Sequence, residues 1–476
     1  MRTLISLAVF TFLYSISLAE AADPSGAHTY SDSVAGLRHS SNFIWILFAA
    51  FLIFYMQTGF AFLGGLLRPR AMLNYLSHCL IGPCIGILVF WLCGFAFMFG
   101  GSHEMSGLTK GNGLIGYSGF LLQGNAYDVV TMLMWVFQVA AATVALTIIA
   151  GGVAERIKFL PFLIYSVIFI ALVYPIYGHW IWGGGWLQHL PFGVGAKDFA
   201  GCAAVHTIGG VFALLGAWAL GPRIGKYTRD GRPNAIAGHN LSYVVIGTLL
   251  LFFGWLGYNC GSSLSATDLR ISVVATNSFL GGAAGTMIVL LVNYATTKKI
   301  DLPLVCNGSL AGLVAITAGC AYVPTWAAIV IGLIGGLAMM GTVKLVESGL
   351  KIDDPLGATS VHAANGLWGL LALGIFADGS YQNVQGLITG SHSQMIAQVI
   401  AASTALVWAL ACGSAIFFGL KHTVGLRVSR HEELEGVDIS IHGIECYPVE
   451  IPQIEIERIT RMGVRAPKEE IEIPGN

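Results

Sequence analysis

Charge is what this chain has least of. Asp, Glu, Lys and Arg make up 10% of its 476 residues, while 55% are hydrophobic. A soluble domain carries about 25% charged residues. So few charges cannot cover a water-facing surface, which makes the chain an integral membrane protein. The formal net charge of −1 supplies no field of one sign, and nucleic acid is excluded as a partner. Metal-type cysteine spacing is missing too. Cys79, Cys84, Cys93, Cys202, Cys260, Cys306, Cys320 and Cys412 sit in apolar stretches and Cys446 in a polar tail, with no Cys-x-x-Cys among them. They read as small buried hydrophobes. No metal site and no cofactor is expected, and no enzyme chemistry.

What the chain has is apolar length. Runs long enough to cross a bilayer fall near 42–67, 75–100, 127–152, 159–182, 202–221, 240–264, 272–296, 303–321, 324–346, 360–377 and 395–420, which predicts eleven transmembrane helices. The 61 glycines read as close helix packing. Residues 1–21 have the form of a cleaved signal peptide: Arg2, an apolar stretch over 4–18, and Ala19-Glu20-Ala21. A polar segment at 22–41 follows, then the membrane domain over 42–421 and a charged tail over 422–476. With the mature N-terminus outside, nineteen basic residues fall on the inner side and four, Arg38, Lys110, Lys197 and Arg270, on the outer. That places the C-terminus in the cytoplasm.

One pattern occurs twice. Asp198, Gly201, Val205, His206, Gly210, Leu214 and Leu215 have the spacing of Asp354, Gly357, Val361, His362, Gly366, Leu370 and Leu371, 156 residues on. The two histidine helices are the fifth and the tenth. Five is odd, so the second copy (about 240–377) is inverted relative to the first (about 42–221), an architecture recurrent in transporters. Each aspartate reads as a helix N-cap. Each histidine lies eight residues further on, about 12 Å deep at 1.5 Å per residue. The two then meet near the centre, and an ionisable side chain there points to function. Two ligands are too few for a zinc site.

Two aromatic clusters sit at the outer level. Gly178 to Trp186 includes Trp182, and Gly254 to Ser263 includes Trp255, Tyr258 and Ser262. The first is open between an interfacial aromatic belt and a cation–π platform, the second between a glycine-rich seam and a hydroxyl for a cation.

The segments FQVAAATVALTIIAGGVAERIKF (137–159), HWIWGGGWL (179–187), DFAGCAAVHTIGG (198–210), GTLLLFFGWLGYNCGSS (247–263), DDPLGATSVHAANG (353–366) and TVGLRVSRHEELEGVDISIHG (423–443) together resemble the Amt branch of the Amt/Mep/Rh ammonium transporters, in one order from about 42 to 447. The resemblance implies an eleven-helix all-α fold, a homotrimer in the cell (inner) membrane, and a pore past His206 and His362 serving nitrogen uptake. It places Trp182 and Ser262 at an outer ammonium site, supported by Asp198, and Gln138 beside the pore. Asp354 and Trp255 are supporting residues. Where the family has two stacked phenylalanines as an outer gate, this chain has Ala141 and Tyr258. The implied mechanism recruits the ammonium ion outside, deprotonates it and conducts ammonia, with or without a relayed proton, past the histidines; the alternative is an ammonium sensor with little conduction. The tail implies docking on inner loops, with Arg223, Lys226, Arg229 and Arg232 facing Glu432, Glu433 and Glu435, and a PII-type regulatory partner.

Overall fold

Uninterrupted apolar sequence satisfies its backbone only by coiling on itself in a bilayer, and helices dominate the chain. The computed structural model describes residues 33–447, except 103, 104 and 106, together with residues 23, 25 and 30. The predicted signal peptide and the tail beyond 447 lie outside the described residues. The apolar helices are α1 (Val34–Leu66), α2 (Pro69–Phe99), α3 (Val129–Val153), α4 (Phe159–Trp182), α5 (Cys202–Leu220), α6 (Leu241–Gly261), α7 (Ile271–Thr297), α8 (Leu302–Ile316), α9 (Thr325–Gly349), α10 (Thr359–Phe376) and α11 (Ser393–Thr423). Two short helices, α12 (Arg430–Glu435) and α13 (Val437–His442), follow in the tail. Among the described residues no regular β-strand forms.

Helices α1–α5 and α6–α10 are the two inverted repeats, with α11 added at the end. α1 packs on α6 and α5 on α10, each on its own counterpart, as a two-fold axis between repeats requires. α3 fills the centre. Every residue from Phe137 to Val153 is buried, so this helix is apolar all round because it has no lipid face.

The repeated glycines explain the crossing of α5 and α10. A Cβ on Gly210 would stand 2.3 Å from the Ala363 nitrogen, and one on Gly366 2.4 Å from the Cys202 carbonyl oxygen. Neither distance leaves room for a side chain, so only glycine at these two equivalent positions lets the backbones touch.

Three helix limits differ from expectation by five residues or more, and one is the start of α2, at Pro69 rather than 75, where Pro69–Ala71 add a short leading turn. α1 starts at Val34 rather than 42, because Ser33 caps it by accepting the Gly36 N–H. α8 ends at Ile316 rather than 321. At 15 residues it spans about 22 Å, less than the hydrocarbon core of about 30 Å. The irregular backbone beyond it is tolerated because it is buried and paired. The Asn277 amide donates to the Cys320 and Val323 carbonyls, Arg270 to that of Ala321, and the Ala318 N–H to Cys202 Sγ. Like the other eight cysteines, Cys202 is free.

Candidate functional site

The two copies of the motif build the same start to α5 and α10. Asp198 accepts four backbone N–H groups, from Gly201, Cys202, Ala203 and Ala204. Asp354 accepts those of Ala358 and Thr359. Both carboxylates are thereby occupied by the helix they begin. Gly201 and Gly357 turn the chain at φ of +106° and +73°, a conformation open to glycine at no cost. Each helix then opens with a π-turn, Cys202–Thr207 and Thr359–Ala363, and each turn contains its histidine.

The inverted starts bring the two rings together. His206 Nδ1 and His362 Nδ1 are 3.2 Å apart and both side chains are buried. The same atom from each copy faces its twin across the repeat axis. One proton serves this contact, so one ring donates and the other accepts. In a neutral pair the donor's Nε2 is then an acceptor and the acceptor's Nε2–H a donor. Trp255 fixes the planes. Its ring stacks on His206 at 5.1 Å and 20°, and lies at 6° to His362. Its own N–H is anchored on Thr317 Oγ1 at 2.9 Å.

Cavities lie on either side of this pair, following one another along α3. The first, about 200 Å³, is lined by Gln138, Ala141, Trp182, Asp198, Tyr258 and Ser262, among others. The structure thus collects six expected site residues in one vestibule, here named the Asp198 mouth. The Trp182 indole N–H is tied to the Asp198 carbonyl oxygen at 2.8 Å, and the side chain lines the cavity. The Ser262 hydroxyl donates to the Tyr258 carbonyl. Ala141 opens the space that a larger residue would close, while Tyr258 is 3% exposed.

The second cavity, about 20 Å³, lies at the Asp354 mouth and is lined by His362, Phe60, Tyr75, Thr147, Asn307 and Leu356, among others. Sequence reasoning missed Asn307. Its amide donates to the Leu356 carbonyl and fills the space over Gly357. No local signal marks a single asparagine in α8.

Below the Asp354 mouth lies a buried ionic cluster. Arg223 binds Glu155 at 2.6 Å and Asp353 at 2.8 Å, and Arg156 donates to the Asp353 carbonyl. Burial pushes the Asp353 carboxyl up, but the Arg223 hydrogen bond and the charges of Arg156 and Arg223 outweigh it and hold the group well below the ordinary range. Within one chain the basic loop meets the acidic tail only in part. Arg223 turns inward, Lys226 pairs with Glu347 and Arg232 with Asp230. Of the three tail acids, Glu433 alone reaches the loop, accepting the Ile224 N–H, and it also pairs with Arg427 and Arg68. Glu432 closes a capping box with Ser429, and Glu435 pairs with His431. Nearer carboxylates on the membrane domain satisfy the loop first. The tail is held instead by Asp438, which accepts the Leu73 and Asn74 N–H groups at the start of α2.

The model of the Ammonium Transporter Family matches residues 44–447. The chain is 44% identical to Ammonium transporter Amt2 of Archaeoglobus fulgidus, over 93% of this chain and 95% of that one. It is 35% identical to Ammonium transporter 1 member 3 of Solanum lycopersicum, over 87% and 94%. Among solved structures, that titled Sensor Amt Protein superposes with a TM-score of 0.78 at 35% identity, covering 85% of this chain and 99% of that one. Saccharomyces cerevisiae Mep2 gives 0.73 at 28%, covering 82% and 88%.

Proposed function

The chain belongs to the ammonium transporter family, and on that premise we propose that it recruits the ammonium ion at the Asp198 mouth and passes ammonia between His206 and His362 to the Asp354 mouth. It is a multi-pass membrane protein and not an enzyme. The observation that carries the reading is the 3.2 Å contact between two buried histidines, with a cavity on each side.

The chemistry follows from cost. A bare cation in a dry apolar lumen pays several kcal/mol or more in desolvation. The neutral amine pays less, but its N–H groups and lone pair still need partners. At the wide mouth the Trp182 face, the Ser262 oxygen and the buried Asp198 region favour a small cation. The proton is given up near the pore entrance, either to water in the Asp198 mouth or to His206 for relay along the pair, and the histidines offer one acceptor and one donor nitrogen to ammonia. Sodium and potassium carry no proton to lose and stay charged, so the same lumen refuses them. Asp354 and Trp255 act by holding His362 and the ring stack in place.

The proposal includes the wider setting: a homotrimer in the cell membrane, mature N-terminus and Asp198 mouth outside, tail in the cytoplasm, and nitrogen uptake as the purpose. A PII-type protein would meet the chain on the tail side. Supporting this orientation is the basic excess on the loops around the Asp354 mouth.

Purified protein in liposomes tests the reading. An imposed ammonium gradient produces a flux that an equal potassium gradient does not. Saturable ammonium binding with no flux above that of empty liposomes would make the chain a sensor instead.

A further inference from the structure

Tyr258 carries a polar group deep in the wall of the Asp198 mouth. Its hydroxyl oxygen is buried and has no hydrogen-bond partner, although a buried tyrosine usually finds one. It is packed against the start of α5. Gly201 has no side chain, and a Cβ there would stand 2.8 Å from the hydroxyl. One polar group nearby is uncommitted, the Tyr174 hydroxyl, which is buried without a partner and within electrostatic reach of Tyr258; the others are taken. The Trp255 N–H goes to Thr317, the Trp182 N–H to the Asp198 carbonyl, and the Ser262 hydroxyl to the Tyr258 carbonyl.

Two further buried atoms on the same path lack partners, Gln138 Oε1 and His206 Nε2. Gln138 lines the vestibule with Tyr258, and the Tyr258 and His206 rings lie 6.0 Å apart, between centroids. Gln138 and Tyr258 line the vestibule and His206 lies beyond Tyr258, so three buried unpartnered atoms follow one another toward the histidine pair. Buried polar atoms left unpaired imply an occupant that pairs them. An ion with four N–H groups in a tetrahedron meets this need.

We propose that Tyr258 is a substrate-contacting residue: its hydroxyl oxygen accepts an N–H of ammonium at the floor of the Asp198 mouth, beside Gln138 Oε1, before the substrate reaches His206. The barrier above the histidines is then a hydrogen-bonding station in place of an apolar plug. The arrangement also orients the pair. With His206 Nε2 accepting from the vestibule side, His206 Nδ1–H donates to His362 Nδ1, and His362 Nε2–H faces the Asp354 mouth as a donor. The inference rests on the transport reading.

Tyr258→Phe removes one oxygen and keeps the ring. Flux in liposomes is measured against ammonium concentration for both proteins, with thermal unfolding of each in detergent. The expected result is a half-saturating concentration raised about tenfold, with a Tm equal to or above that of the wild type, because the hydroxyl has no protein partner to lose. An unchanged half-saturation overturns the proposal and leaves the hydroxyl to water. A lowered Tm also overturns it, since the oxygen would then be serving the fold. A wild-type chain that carries no ammonium removes the transport reading and this one with it, which is a separate outcome from a functioning wild type and an indifferent variant.

Discussion

The two mouths of the lumen were built by one duplicated motif and have diverged around it. At the Asp198 mouth the cavity is about 200 Å³ and lined by Gln138, Asp198, Tyr258 and Ser262. At the Asp354 mouth it is about 20 Å³, and most of its wall is apolar. The duplicated part, an aspartate cap, a left-handed glycine, a π-turn and a histidine, is the same at both. What differs comes from helices outside the motif. Symmetry is kept where the two ring nitrogens meet and lost in the walls of the cavities. On the function proposed above, the wide side selects a cation and the narrow side releases a small neutral molecule.

The largest expected effect comes from breaking the shared part. Gly366→Val puts a branched side chain where a Cβ alone would stand 2.4 Å from both the Cys202 carbonyl oxygen and Thr207 Oγ1. Backbone cannot yield as a side-chain tip can, so the cost is expected at or above the upper end of the roughly 1–3 kcal/mol usual for overpacking. Size-exclusion profiles and thermal unfolding should show loss of folded protein. A variant as stable as the wild type would mean that α5 and α10 do not need the close crossing.

Next is the ionic cluster under the Asp354 mouth. Asp353→Asn leaves Arg223 and Arg156 with less compensation in a buried site, for an expected loss of about 3–5 kcal/mol. The pH dependence has a defined sign. The folded state holds the Asp353 carboxyl below its ordinary value of 3.8, so the unfolded chain takes up the proton at higher pH than the fold does. Its contribution is present above about pH 4 and lost as the pH falls further. Thermal unfolding from pH 7 to 3 should show the wild type losing stability at the acid end more steeply than the variant; parallel curves would remove Asp353 from the account.

The smallest effect on stability is expected at the wide mouth. Ala141→Phe places a ring in existing space, so unfolding should shift by about 1 kcal/mol or less, while ammonium flux falls because the cavity narrows. A variant with undiminished flux would show that the width of the Asp198 mouth does not control entry, and the contrast between mouths would lose its functional meaning.

Much of this was legible before any coordinates. Hydropathy placed the helices because a bilayer leaves the backbone no alternative, and the 156-residue repeat paired His206 with His362. The limits of legibility were local. The unwound end of α8 depends on Asn277 and Arg270, distant in sequence from the carbonyls they satisfy. The early start of α1 depends on one serine cap. Gly210 and Gly366 were visible as repeated letters, but their purpose is a backbone contact between helices. Asn307 carries no pattern at all. Within one chain the loop turns to other partners, because charge runs name candidates without saying which carboxylate is nearer, and Asp353 and Glu155 are nearer to Arg223.

The central claim is that both histidines carry ammonia through one shared contact, and a double-mutant comparison tests it most directly. Ammonium flux in liposomes is measured for the wild type, His206→Ala, His362→Ala and the double variant, with potassium flux as the check on selectivity. The account predicts that each single variant loses at least about tenfold in flux, or admits potassium, and that the double variant is little worse than either, because the pair acts as a unit. Single variants that carry ammonium at the wild-type rate with potassium still excluded would contradict it.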